Sequence, residues 1–170
     1  DSNTYGYDPR SYLGGRYDPD SRWVDILAEE TGWTVRNMGQ NGREIPSTAP
    51  NFPADTDLLI VMLGTNDLLQ GRSPEQAAVS LKRFLSGISL DRSKIFLIAP
   101  PPMKQGTWVL DQQFIDDSRT FARLCQTLAE HLGICFADAG KWDIPLAYDG
   151  VHFTEQGHRA FAAGLLEELK

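Results

Sequence analysis

The sequence has few of the residues that staple or metallate a protein: 170 residues include two cysteines and three histidines. Cys125 and Cys135 form no CxxC pair, and neither HExxH nor GxxxxGK[ST] occurs. A dithiol redox motif, a zincin-type metal site and a P-loop are therefore excluded, and no metal or organic cofactor is expected. The two thiols read as buried and reduced, which points to a cytoplasmic setting. Long apolar runs are also missing. The longest are strand-sized, far below the roughly 20 residues that cross a bilayer, so no membrane span is expected. Nor is there a basic run. Sixteen Lys and Arg stand against 23 Asp and Glu, giving a net charge of −7. That balance excludes nucleic acid and anionic membrane surfaces, both of which demand clustered cations. The sequence begins at Asp1 without an initiator methionine, and it does not say what precedes that residue.

What is present fits one α/β domain over residues 1–170, long enough to bury about two thirds of its unfolded surface. Leu58-Leu59-Ile60-Val61-Met62-Leu63 reads as a strand buried on both faces, as in a parallel sheet covered by helices. It runs into Gly64-Thr65-Asn66-Asp67, four residues that suit a turn. They also lie at a strand's carboxyl end, where ligands of open α/β sheets bind. Trp33 to Asn37, Ile95 to Ala99 and Ile134 to Ala137 are further strand candidates. Asp20 or Ser21 is expected to cap a helix stopped by Gly32. Ser73-Pro74-Glu75-Gln76 carries a capping box that opens a helix to about Ile88. Phe114, Phe121, Cys125, Leu128 and Leu132 recur at helical spacing from about Asp111 to Leu132, an aromatic stripe that reads as core. Thr154 caps a last helix running almost to Lys170. Residues up to Ser21 read as loop, and Met103 to Leu110 as a loop with an exposed Trp108. Alternating strands and helices imply a three-layer α/β/α sandwich with a central parallel sheet.

The three histidines allow elimination. His131 suits the negative end of a helix dipole beside Gly133, and His158 is expected within the last helix, half exposed. His152 alone sits in a polar loop, three residues after Asp149. That spacing lets the carboxylate take one ring nitrogen while the other faces outward. A base with an orienting carboxylate implies a nucleophile, and serine is the usual one. Most serines fall in caps, loops or helices away from strand ends. Ser2 stands apart, because Asp1-Ser2-Asn3-Thr4 makes sense where a strand leads into it. The residues alone leave the nucleophile open.

Four segments together carry a resemblance: Asp1-Ser2-Asn3-Thr4, Asn37-Met38-Gly39-Gln40-Asn41-Gly42, Gly64-Thr65-Asn66-Asp67 and Asp149-Gly150-Val151-His152. They resemble, in order, the signature blocks of the SGNH hydrolases, the GDSL-type esterases and lipases. Arg22-Trp23 and the run from Gly150 to Glu155 are similar to the bacterial arylesterase and acyltransferase branch. The resemblance implies a flavodoxin-like SGNH fold, with Ser2 as nucleophile, His152 as general base and acid, and Asp149 as its orienting group. It also implies an oxyanion hole made of Ser2, Gly39 and Asn66, and an apolar first strand immediately before Asp1. A glycine at 39 keeps a side chain out of the oxyanion's approach to the amide, and Asn66 offers a neutral NH₂ donor on a rigid strand end.

The expected reaction is two-step acyl transfer from small acetyl-type or aryl esters, with transfer to alcohols as a variant. The partner is then a small-molecule ester; assembly into a homo-oligomer is left open. Tyr5, Tyr7, Trp108, Trp142 and Phe153 are candidate pocket walls. Carbohydrate O-deacetylase and thioesterase or lysophospholipase activities share the same machinery. Outside the enzymes, a catalytically silent ligand-binding module is the rival reading.

Overall fold

The computed structural model describes residues 1–170. Three strands form one parallel sheet: β1 (Leu59–Val61), β2 (Ile95–Ala99) and β3 (Cys135–Asp138), in that spatial order. Leu59 pairs with Ile95, and Phe96 with Cys135. Because successive side chains of a strand face opposite ways, the sheet serves two cores. Val61, Ile95, Leu97 and Ala99 pack with α4 (Pro74–Ser86) and α5 (Gln112–Leu132) through Leu81, Leu85, Phe121 and Cys125. Phe96, Ile98 and Ala137 pack on the other face with α2 (Trp23–Thr31) and α6 (Glu155–Glu168) through Trp23, Leu27, Phe161 and Leu165. This is the expected α/β/α sandwich.

Local signals set several boundaries. Ser73 accepts from the Gln76 N–H while Gln76 bonds back to Ser73, completing the capping box of α4. Asp111 caps α5, Thr154 caps α6, and Gly32 ends α2 in the left-handed conformation.

Elsewhere the structure departs from the sequence expectations. Only three residues of the run Leu58 to Leu63 join the sheet, where β1 pairs with β2, and Leu58 to Ile60 are half-buried. The strand buried throughout is β2, in the middle. Residues 33–37 are extended and exposed but not a strand, since no neighbouring strand offers them a ladder. The cap of α2 is neither Asp20 nor Ser21. Pro19–Ser21 form a separate 3₁₀ turn, and Arg22 precedes α2 without a side-chain cap. Cys135 is exposed, because it starts an edge strand, whereas Cys125 is buried; the two are unlinked. Two short helices appear where a loop and a turn were expected: α1 (Ser2–Tyr5) and α3 (Thr65–Leu69). Both carry candidate site residues.

Candidate active site

Ser2 is the first residue of α1, a single turn capped by Asp1, whose carboxylate accepts from the Thr4 N–H at 3.1 Å. Its Oγ lies 3.1 Å from Nε2 of His152, which stands 150 residues further along the chain. Nδ1 of His152 lies 2.7 Å from Oδ2 of Asp149. The other carboxylate oxygen accepts from the backbone N–H groups of Val151 and His152, each at 2.9 Å. Since a carboxylate only accepts, Nδ1 carries the hydrogen, and Nε2 of the neutral ring presents its lone pair to the serine hydroxyl. Ser2, His152 and Asp149 are 5%, 3% and 1% exposed. Burial pushes the Asp149 carboxyl up, but the hydrogen bonds from the His152 ring and from the His152 and Val151 N–H groups outweigh it. The carboxyl ends below its ordinary value, so it is ionised near neutrality.

A loop after β2 braces this arrangement. Lys104 N–H donates to Gly150 O at 3.0 Å, Thr107 N–H to Tyr148 O at 3.0 Å and Trp108 N–H to Asp149 O at 3.2 Å. The same loop presents Trp108 edge-on to His152 at 5.0 Å between ring centroids, and Tyr7 meets the imidazole at 4.6 Å. Of the proposed aromatic walls, these two reach the site. Trp142 and Phe153 do not: both pack on Phe161 in the core between the sheet, α2 and α6. Tyr5 carries the Arg16 guanidinium over its ring at 4.7 Å.

The three candidate donors to an oxyanion differ in how free they are. Ser2 N–H, at the start of a helix, has no intrahelical acceptor. Asn66 spends one of its two amide hydrogens on Arg43 O at 3.0 Å. Gly39 N–H donates to Asn37 Oδ1 at 2.8 Å, while Asn37 Nδ2 donates to Thr4 O at 2.8 Å. A Cβ on residue 39 would collide with the backbone of Thr4 and Tyr5. Glycine is required there first for the close approach of two backbones, a different reason from the one the sequence offered. Next to Asn66, Asp67 is fully buried and accepts from the Ile45 N–H at 2.9 Å, with Arg72 at 3.4 Å. Burial pushes its carboxyl above the ordinary value despite those partners. Asn66 and Asp67 together tie the 43–45 segment to α3. Behind Asn66, Gly64 has φ +119°, and a Cβ there would strike the Phe121 ring, so only glycine gives β1 its turn into α3.

Asn3 was not among the expected site residues. Its buried carboxamide donates to Val151 O at 3.1 Å and accepts from Phe153 N–H at 2.9 Å, on either side of His152. His158, expected half exposed, is fully buried. Its Nδ1 accepts from the Trp23 N–H at 3.4 Å, and its ring meets Tyr17 and Phe153 edge-on, so it belongs to the core. No group of three or more His, Cys, Asp or Glu side chains is placed to hold a metal ion.

A hydroxyl on a lone-pair nitrogen, with the ring held by a buried carboxylate, is the arrangement that activates a serine for attack on an acyl carbonyl. The chain as a whole is similar to known proteins. A sequence profile described as the GDSL-like Lipase/Acylhydrolase family matches residues 1–160. The chain belongs to that family, with the SGNH hydrolase fold, and is a carboxylic ester hydrolase. It resembles the native M. smegmatis aryl esterase at 26% identity and a TM-score of 0.78, over 99% of this chain and 94% of that one. A carbohydrate acetylesterase family member from Sinorhizobium meliloti aligns at 23% identity and a TM-score of 0.80, over 99% and 93% of the two chains. A lipolytic protein of the G-D-S-L family from Veillonella parvula aligns at 21% and 0.71, over 98% and 92%. No curated protein matches the chain. No helix is long and apolar enough to cross a membrane.

Proposed function

We propose that this ester hydrolase cleaves small acetyl-type or aryl esters by two acyl transfers on Ser2. As Ser2 Oγ attacks the ester carbonyl, His152 Nε2 takes its proton, and Asp149 holds the ring and stabilises the imidazolium. The carbonyl oxygen becomes an oxyanion facing Ser2 N–H, the remaining Asn66 amide hydrogen and Gly39 N–H, which shares its hydrogen with Asn37. His152 then gives its proton to the departing alkoxide, and the C–O bond of the ester breaks. Water, deprotonated by the same nitrogen, releases the acid and restores Ser2. The observation that carries this reading is the contact chain Ser2–His152–Asp149, at 3.1 and 2.7 Å, assembled from opposite ends of the sequence.

The substrate class rests on Tyr7 and Trp108 beside the imidazole, Trp108 being 54% exposed. They give the imidazole two aromatic neighbours, suited to an aryl leaving group or to the face of an acetylated sugar. The resemblance to the M. smegmatis aryl esterase favours the first. Two unlinked cysteines fit a cytoplasmic setting. The decisive experiment is an activity panel of p-nitrophenyl acetate to decanoate, acetylated xylose and acyl-CoA, run beside fluorophosphonate labelling. Labelling and turnover that both vanish in Ser2→Ala are expected, with activity highest on the shortest p-nitrophenyl esters. Undiminished turnover in Ser2→Ala would end the reading; no labelling of folded wild-type protein would favour the silent binding module.

A further inference from the structure

Nucleophile and base come from chain segments with no covalent reason to stay in register, so something must set the distance between them. Only three hydrogen bonds join α1 to the 149–153 loop. One is the Ser2–His152 contact itself; the other two belong to Asn3, to Val151 O at 3.1 Å and from Phe153 N–H at 2.9 Å. They span sequence separations of 148 and 150 residues and grip both neighbours of His152. The remaining bonds near His152 run within its own loop or to other parts of the molecule. Examples are Ala147 N–H to His152 O at 2.7 Å and the contacts of residues 104–108 with 148–150. Asn3 is itself pinned, because Trp23 Nε1–H donates to Asn3 O at 3.1 Å.

We infer that Asn3 is a positioning residue for catalysis: its carboxamide sets the Ser2–His152 distance by clamping the backbone on both sides of the base. This rests on the reading of Ser2 and His152 as nucleophile and base. The task needs one donor for a carbonyl and one acceptor for an N–H on the same short side chain. Asparagine supplies both, aspartate lacks the donor, leucine lacks both, and glutamine is one methylene too long. Asn3 is 4% exposed, so water does not substitute for its carboxamide in the native protein. Its carboxamide bonds only to the backbone atoms that flank His152. Its loss therefore leaves substrate binding intact and slows the chemical step.

The test uses Asn3→Leu, similar in size and unable to make either bond, and Asn3→Ala, which leaves room for water to satisfy the two backbone groups. Three readouts are taken on each variant: kcat and KM separately with p-nitrophenyl acetate, the rate of fluorophosphonate labelling of Ser2, and the low-field proton resonance of the His152–Asp149 bond. The expected result is a fall in kcat of about 10²-fold with KM within about twofold, the scale set by an ångström of misplacement. Labelling should slow in parallel, and the low-field resonance should broaden although Asp149 is untouched. A folded variant with kcat within about threefold of wild type, or a loss confined to KM, overturns the inference. So does failure of both variants to fold, since Asn3 would then hold the fold rather than the pair. If Ser2→Ala is inactive while Asn3→Ala is fully active, only this inference falls; if Ser2→Ala is active, the underlying reading falls.

Discussion

Replacing Asp149 by asparagine exchanges one carboxylate oxygen for an NH₂ group, and the structure fixes where that group must go. Oδ1 receives two backbone N–H groups at 2.9 Å, and an amide nitrogen there would face two donors. The asparagine oxygen therefore keeps that position, and its NH₂ takes the place of Oδ2, 2.7 Å from His152 Nδ1. Two hydrogens cannot share that contact. The imidazole must move its proton to Nε2, the atom 3.1 Å from Ser2 Oγ, and a protonated Nε2 cannot accept the hydroxyl's hydrogen. In a Ser-His-Asp triad a wrong tautomer of this kind costs on the order of 10⁴ in kcat, or about 5–6 kcal/mol of barrier. The fold should survive, because both backbone bonds are retained and the charge-assisted bond lost contributes about 1.5–3 kcal/mol. The pH dependence has a definite sign. A carboxyl lowered in the folded state adds stability above its unfolded value of 3.8 and loses it as pH falls through the folded value. The stability gap between wild type and Asp149→Asn should therefore be full at neutral pH and narrow below 3.8. Turnover of p-nitrophenyl acetate, fluorophosphonate labelling and urea melts at several pH values test each part. A folded Asp149→Asn protein within about tenfold of wild-type kcat would refute the tautomer reasoning.

Three further outcomes are expected. Asn66→Ala removes the side-chain donor to the oxyanion and should lower kcat by roughly 10²–10³-fold, with KM little changed; a loss confined to KM would remove Asn66 from the oxyanion hole. His158, fully buried, has its pKa lowered by burial from 6.5 to about 3. The unfolded chain therefore takes up a proton below 6.5 that the native state refuses, and stability should fall with pH from 6.5 towards about 3. The slope should approach about 1.4 kcal/mol per pH unit. His158→Asn, which does not titrate, should flatten that slope in urea melts; an unchanged slope would assign the acid sensitivity elsewhere. Ser73→Ala breaks the capping box of α4, remote from Ser2, and should cost about 1 kcal/mol in a denaturant titration while leaving kcat unchanged.

The features legible in the sequence were those whose causes are local. Ser73, Pro74 and Gln76 satisfy one another within a single helical turn, so the start of α4 needed no tertiary knowledge. Asp149 and His152 are three residues apart, and their contact follows from the loop alone. The run Leu58 to Leu63 reports burial, but a strand also needs a neighbour, and apolarity does not record that only Leu59 to Val61 meet β2. The single turn of α1 was hidden because Ser, Asn and Thr favour turns over helix interiors. It forms because Asp1 caps it and Asn3 is bound from outside. Phe153 was misplaced by adjacency: next to the candidate base in sequence, it bridges Leu146 and points into the core with Phe161. His158 was misplaced by polarity, since an imidazole that accepts the Trp23 N–H is at home in a core. Reactive groups announce themselves by residue type, whereas Asn3 and Asp67 bind backbone atoms, which every residue possesses. No pattern of letters marks which N–H or C=O will face them. The pairing of Asp149 with His152 could thus be read before folding and Ser2 entered only through the family resemblance, while the groups that hold the three in register become visible only when distant backbone is brought alongside.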